Sequence, residues 1–375
     1  MNFGFTEEQE LLRAEVRKFL DQNAPLERVR EIVEGGDAFD PTLWARMAEL
    51  GWVGLTVPEE HGGVGLDLET LVVVLEETGR TLFPSPLIST LLASQAIARF
   101  GSAAQKAAWL PGLADGTKIG SFALVEASDD LSPAGIALRG AKDGDGFTLA
   151  GTKTLVPDGA AADVHVVAFR CGDGDQDVAL ALVEKGAAGL ETTALTTMDL
   201  TKRTARLDFD GVRVDADALL GEAGKAWPAI QWLVDLGAAA VTAESVGAFE
   251  NALAITTQFA KERVQFGELI GRFQGVKHPL AEMYVDVENV KSLVYYAIWA
   301  IDQGADEAPR SVSRAKALAS DVFPGQGIDG VQLHGGVGYT WEYDIQMYLK
   351  RGKWMRPLFG DADYHYERVA SMGGL

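Results

Sequence analysis

The sequence predicts an α+β protein of three segregated domains: N-terminal helices over residues 1–117, a middle β domain over 118–224 and C-terminal helices over 225–375. Three observations predict it. Helical periodicity runs through the first ~115 residues. Short β-rich runs broken by turn signals begin near residue 118. Long helical windows resume near Ala223. This order lacks the βαβ alternation of a doubly wound parallel sheet.

The elements follow in order. Thr6, with Gln9 three residues on, forms a capping box that opens a helix over Thr6–Asn23. Leu11, Leu12, Val16, Phe19 and Leu20 supply its apolar stripe. Pro41–Leu50, Asp67–Thr81 and Pro86–Phe100 are further helical windows. The stretch GWVGLTVPEEHGGVGL, residues 51–66, reads as a loop punctuated by Pro58, Gly62, Gly63 and Gly65. The runs SFALVEA, FTLAGTKTLV, VHVVAFR, VALALVE and ARLDFDGVRV read as strands, with DGDG at 143–146 and GDGDQD at 172–177 as turns. Their spacing predicts a small antiparallel β-barrel or sandwich. Helical windows at 226–265, 275–303 and 308–332 follow, then a tail.

Composition narrows the function classes. Lys+Arg number 33 against 54 Asp+Glu among 375 residues, a formal net charge of −21. Nucleic acid and anionic membrane surfaces need a basic stripe, so neither is an expected partner. An anionic ligand remains compatible with a local cluster of cations. Cys171 is the only cysteine, which excludes an intrachain disulfide and Cys-rich metal sites and fits a reducing compartment. The N-terminus lacks a basic start followed by an apolar run, so it is not read as a signal peptide. Apolar runs fall short of about 20 residues, so no membrane insertion is expected. The expected location is cytoplasmic.

Four places carry candidate chemistry. Gly335, Gly336 and Gly338 in QLHGGVGYT follow a helical window rather than a strand. That context argues against a Rossmann fingerprint. They read as a helix-to-helix turn or as backbone that lets amides approach a phosphate. Arg263 and Arg272 in ERVQFGELIGRFQ lie between two long helices, either as helix-end cations or as anion ligands. Glu244 is the only ionisable residue of LGAAAVTAESVGAF at 236–249. Its helical neighbours Ala240, Val241, Gly247 and Ala248 are small or apolar. It is a candidate proton acceptor or an interface glutamate paired with an arginine. In LFGDADYHYERVA, Asp361, Asp363 and His365 read as a helix-capping acidic cluster. His365 there is a group expected to titrate near neutrality. The spacing of the three splays them too far for a metal set, and no serine sits in a nucleophile elbow.

Together these stretches resemble the acyl-CoA dehydrogenase (ACAD) family. The resemblance rests on GWVGLTVPEEHGGVGL, RVQFGELIGRFQGVKHPLAEM and QLHGGVGYTWEYDIQMYLKR, in that order, and covers nearly the whole chain. It implies a C-terminal four-helix bundle and a homo- or hetero-oligomer, dimer or tetramer, with FAD at the subunit interface. It implies α,β-dehydrogenation of an acyl-CoA thioester, fatty acyl or steroid side chain, to the trans-2-enoyl thioester. A glutamate takes the α-proton, hydride goes to the flavin, and an electron-transfer flavoprotein reoxidises it. Arg263, Phe266 and Gln274 resemble the family's contacts to a neighbouring subunit's FAD. Gln332, Gly335 and Gly336 resemble its second set. Lys202 and Arg203 are candidate CoA phosphate contacts.

Two departures stand out. Gly360 stands where many members carry the base in the tail, and Gly237 matches the helix position used by others. Glu244 lies two helical turns, about 10.8 Å, beyond Gly237. The A-E-x-V-G setting resembles members acting on steroid side chains, so Glu244 is the expected base, with Asp361 the runner-up. In the middle domain Val125 and Pro157 replace hydroxyls and Leu155 replaces an aromatic residue that cradle the isoalloxazine ring. The half-site offered to a neighbour is intact, and the chain's own is eroded. Two readings follow: a catalytic subunit using Glu244, or a non-catalytic partner completing the FAD site of another family member. Small residues at 236–248 suggest room for a bulky acyl group.

Overall fold

The computed structural model describes residues 4–36 and 38–374. It divides into two compact units. One holds the chain up to Glu31, Leu68–Phe83 and Ala238 onwards; the other holds Ile32–Asp67 and Pro84–Gly237.

In the first unit, α1 (Glu7–Asn23) opens on the expected capping box, with Gln9 N donating to Thr6 Oγ1. α4 (Leu68–Arg80) packs beside it and carries the carboxylates of its ion pairs, and α8 (Gln274–Asp302) packs on α4. Arg13 bonds Glu76 at 2.7 Å, Arg17 bonds Glu77 at 2.7 Å, and Tyr295 donates to Glu76. Burial pushes the Glu76 carboxyl up, and the Arg13 guanidinium opposes the shift. α7 (Trp227–Glu262), α9 (Ala308–His334), α10 (Ile345–Met355) and α11 (Ala362–Gly373) complete the helical set. α9 contacts α8, α10 and α11. α7 and α4 cross with backbones in contact. A Cβ on Gly79 would sit 1.7 Å from the Glu244 carbonyl oxygen, and one on Gly247 would sit 1.8 Å from that of Glu76. At least one of the small residues at 236–248 therefore serves a helix crossing rather than leaving room for a ligand. α7 contains the one window among the described residues long and apolar enough to cross a bilayer, but 94 % of that window is buried in the fold. It is a core helix.

The second unit holds α3 (Pro41–Glu49), α5 (Leu87–Phe100), α6 (Ala103–Ala114) and the main sheet. α2 (Leu26–Glu34) straddles the division. Strands β1 (Gly120–Ala123), β2 (Arg139–Asp143), β3 (Gly146–Pro157), β4 (Val164–Arg170), β5 (Val178–Glu184), β6 (Leu190–Leu195), β7 (Thr204–Val214) and β8 (Leu219–Leu220) form one eight-stranded sheet. Its order is β6-β7-β3-β2-β4-β5-β8, with β1 beside β4. Phe147, Phe169, Leu207 and Val212 lie in its core. The pairing is antiparallel except where β1 and, at one residue, β2 run parallel to β4. β1 and β4 are separated by the β2–β3 hairpin, and a connection of that length permits a parallel pair where a tight turn does not.

Candidate functional site

α7 ends at Glu262, and Arg263 N donates to Phe259 O at 2.9 Å. The chain then makes a short hairpin, β9 (Val264–Gln265) with β10 (Glu268–Leu269). Its two turn residues, Phe266 and Gly267, have φ of 54° and 78°. This left-handed pair fits a tight hairpin but strains a phenylalanine. Phe266 is also 94 % exposed. Its ring meets that of Phe273 edge-on, at 6.2 Å.

α9 ends at His334, where Gly335 turns the backbone at φ 66° into a short 3-10 turn, Gly335–Tyr339. Between this turn and the hairpin lies a cavity of about 670 Å³. It brings together Arg263, Phe266, Gln332, Gly335 and Gly336. Gln274 is the exception: Phe273 and Gly275 line the cavity, and Gln274 does not. Arg263 is exposed and has no ion-pair partner among the described residues, whereas Arg272 is engaged with Glu268 at 2.6 Å. A Cβ on Gly335 or Gly336 would meet nothing within 4 Å, so the cavity wall there is bare backbone. Phe259 and His334 also line it and were missed in the sequence. Phe259 precedes Arg263 by one helical turn, a spacing that identifies the shared face.

The candidate bases are placed elsewhere. Glu244 is buried at 1 % exposure, and its Oε2 accepts from Arg351 Nη1 at 3.3 Å, with Arg351 fully buried. The carboxylate is therefore engaged by a buried guanidinium. Asp361 caps α11, its Oδ1 accepting from Tyr364 N at 3.0 Å. At Gly360, φ is 98° and a Cβ would lie 2.3 Å from the Tyr364 ring, so a side chain there requires that ring to move. Lys316 reaches this turn from α9. Its buried Nζ lies 2.8 Å from the carbonyl oxygens of Arg356 and Gly360. Burial pulls its pKa down to about 7.

His365 does not titrate near neutrality. It is buried, with Nε2 at 2.9 Å from Phe359 O, and burial with Lys316 nearby pulls its pKa down to about 3. His165, buried beside Ser121, is pulled down to about 4 from an ordinary 6.5. Both histidines bind protons more readily unfolded. The stability they allow is complete above pH ~6.5 and is lost as pH falls toward their folded values. Urea unfolding should lose about 2–4 kcal/mol between pH ~6.5 and ~5 from these two groups. His365→Gln should roughly halve that slope, and an unchanged slope would contradict the assignment.

In the second unit, Glu126 is saturated. It accepts from Lys153 Nζ at 2.6 Å and from the amides of Ala137 and Leu138 at 3.0 Å. The end of β3 carries Leu155, at φ 50° and 45 % exposed, and Pro157, which has no N–H. Val125 offers its carbonyl to Thr154 N and has no hydroxyl. Lys202 is 5 % exposed, so it is poorly placed to meet a CoA phosphate from solvent.

Comparison with known proteins decides the family. The acyl-CoA dehydrogenase N-terminal domain model matches residues 6–117, and the C-terminal domain model matches 224–373. The chain is an acyl-CoA dehydrogenase family member. The family's enzymes are flavin oxidoreductases, and membership implies FAD as the cofactor. It is 33 % identical over 356 residues to acyl-CoA dehydrogenase IpdE2 of Mycolicibacterium smegmatis, covering 95 % of each chain. Its fold is similar to that of the steroid ACAD Tcur3481–Tcur3483, at TM-score 0.88 and 33 % identity, covering 98 % of each. It is also similar to a chain of the ChsE4–ChsE5 complex of Mycobacterium tuberculosis, at TM-score 0.91 and 29 % identity, covering 100 % of this chain and 99 % of that one.

Proposed function

We propose that this chain is one subunit of a mixed-chain acyl-CoA dehydrogenase and completes the FAD site of a different family member. The carrying observation is the end of its own β3. Pro157 and Leu155 offer neither a hydroxyl nor, at 157, an amide where the resemblance places the isoalloxazine ring. The Arg263 cavity, by contrast, suits the nucleotide half of FAD: a free cation for the pyrophosphate and bare glycine backbone beside it. Bound FAD supplies the two-electron oxidant for α,β-dehydrogenation of the thioester. Similarity to a steroid ACAD and to a two-protein complex supports a steroid-type acyl group and a hetero-oligomer. A panel of straight-chain and steroid thioesters offered to the assembled enzyme tests the first point, and turnover of short straight chains alone would sink it. An electron-transfer flavoprotein is the proposed electron acceptor.

The assembly is tested by native mass spectrometry of the tagged chain isolated from its own cells. The expected species contains a second polypeptide of the same family, with fewer FAD molecules than chains. Copies of this chain alone, each with one FAD, would overturn the proposal. Replacing Arg263 by Met should weaken ADP binding about tenfold to a hundredfold, the loss of a charge-assisted contact. Thermal unfolding should not move, because Arg263 supports no packing.

A second reading keeps Glu244 as base. Its support is the burial of that carboxylate among apolar residues of α7, away from bulk water. Under it, Glu244→Gln abolishes thioester-driven flavin reduction without unfolding the chain.

A further inference from the structure

We propose that His334 is a fixed hydrogen-bond acceptor for the nucleotide half of the cofactor, taking a donor of the nucleoside at its Nε2. This rests on the assignment of that half of FAD to the Arg263 cavity. The argument begins with the other ring nitrogen. Nδ1 lies 2.7 Å from Gly330 O. A carbonyl only accepts, so Nδ1 carries the hydrogen. Burial lowers the ring's proton affinity, which keeps the imidazole neutral. In that tautomer Nε2 holds a lone pair and no proton.

The ring is also held in orientation. It stacks on Phe259 at 4.3 Å with a 24° interplanar angle, and Tyr343 meets it edge-on at 6.1 Å. Nε2 has no hydrogen-bond partner among the described residues, while His334 lines the cavity with Arg263, Gly335 and Gly336. The cavity therefore pairs a cation with an acceptor that cannot turn into a donor without protonation. A ligand that satisfies both carries an anion and, a short distance away, an O–H or N–H. A nucleoside diphosphate has this pattern, its donor being a ribose hydroxyl or the exocyclic amine of adenine.

The test is calorimetric binding of ADP to the full chain, with thermal unfolding recorded for every variant. Asparagine places an amide nitrogen near the position of Nδ1 but has nothing at Nε2. Glutamine reaches the Nε2 position but lacks the Nδ1 group. His334→Asn should weaken ADP about tenfold, the loss of one hydrogen bond, and His334→Gln should stay within about threefold. A purely structural role predicts the reverse order, with the larger fall in unfolding temperature for Gln. Nitrogen-15 spectra should show the Nδ1–H tautomer, with the Nε2 signal shifting on ADP addition. Inosine diphosphate and 2′-deoxy-ADP separate the two donors, since the analogue lacking the relevant one should bind wild type and His334→Asn equally. ADP binding by His334→Asn at wild-type strength would overturn the role of His334. Failure of wild type to bind ADP would overturn the nucleotide assignment beneath it.

Discussion

Replacing Arg351 by methionine lowers the unfolding free energy by about 3–5 kcal/mol, because it takes a buried guanidinium away from the buried Glu244 carboxylate. Both side chains are buried, at 0 % and 2 % side-chain exposure, so little water can replace the lost guanidinium. The double variant Arg351→Met with Glu244→Leu should recover much of that loss, since apolar replacement of a whole buried pair is often near neutral. Urea unfolding of the two single variants and the double variant measures this. Equal losses that simply add would show that the pair is not coupled, and would free Glu244 for another role.

Gly79→Ala and Gly247→Ala should each cost more than about 3 kcal/mol or prevent accumulation of folded protein. The added methyl in each case meets a main-chain carbonyl at under 2 Å, and no side-chain rotation relieves it. Gly325→Ala makes the opposite prediction. It lies within α9, and its Cβ would meet nothing within 4 Å. Alanine there should stabilise by about 0.5–1 kcal/mol through helix propensity. The contrast isolates steric contact from the entropy of glycine, which all three substitutions share. Solubility after expression and urea midpoints report it, and three similar values would contradict the backbone crossing of α4 and α7.

Legibility in the sequence followed the distance over which each feature is decided. The Thr6 cap of α1 is settled within three residues and stands as expected. α6 is not among the expected helical windows, although Ser102 and Gln105 form a second capping box at its start, and Pro111 lies in its last turn. β1 reads as a strand, but its parallel placement depends on β4, over forty residues on, and no local pattern encodes that. The burial of Glu244 is legible from its small neighbours. Its engagement by Arg351 is not, because the partner lies 107 residues away on another helix. Arg263 and the glycines were legible as motif residues, and the cavity gathers them. His334 was not, because its role follows from a tautomer and a stacked ring, neither of which spacing reveals.

The most direct measurement of the central claim is an anaerobic titration of the chain, purified alone and supplied with FAD, with straight-chain and steroid CoA thioesters. Completion of another subunit's site predicts that the flavin absorbance does not bleach with any thioester, although ADP binds. Bleaching by a thioester with the chain alone, abolished by Glu244→Gln in a protein that remains folded and still binds ADP, would contradict it and establish Glu244 as the base.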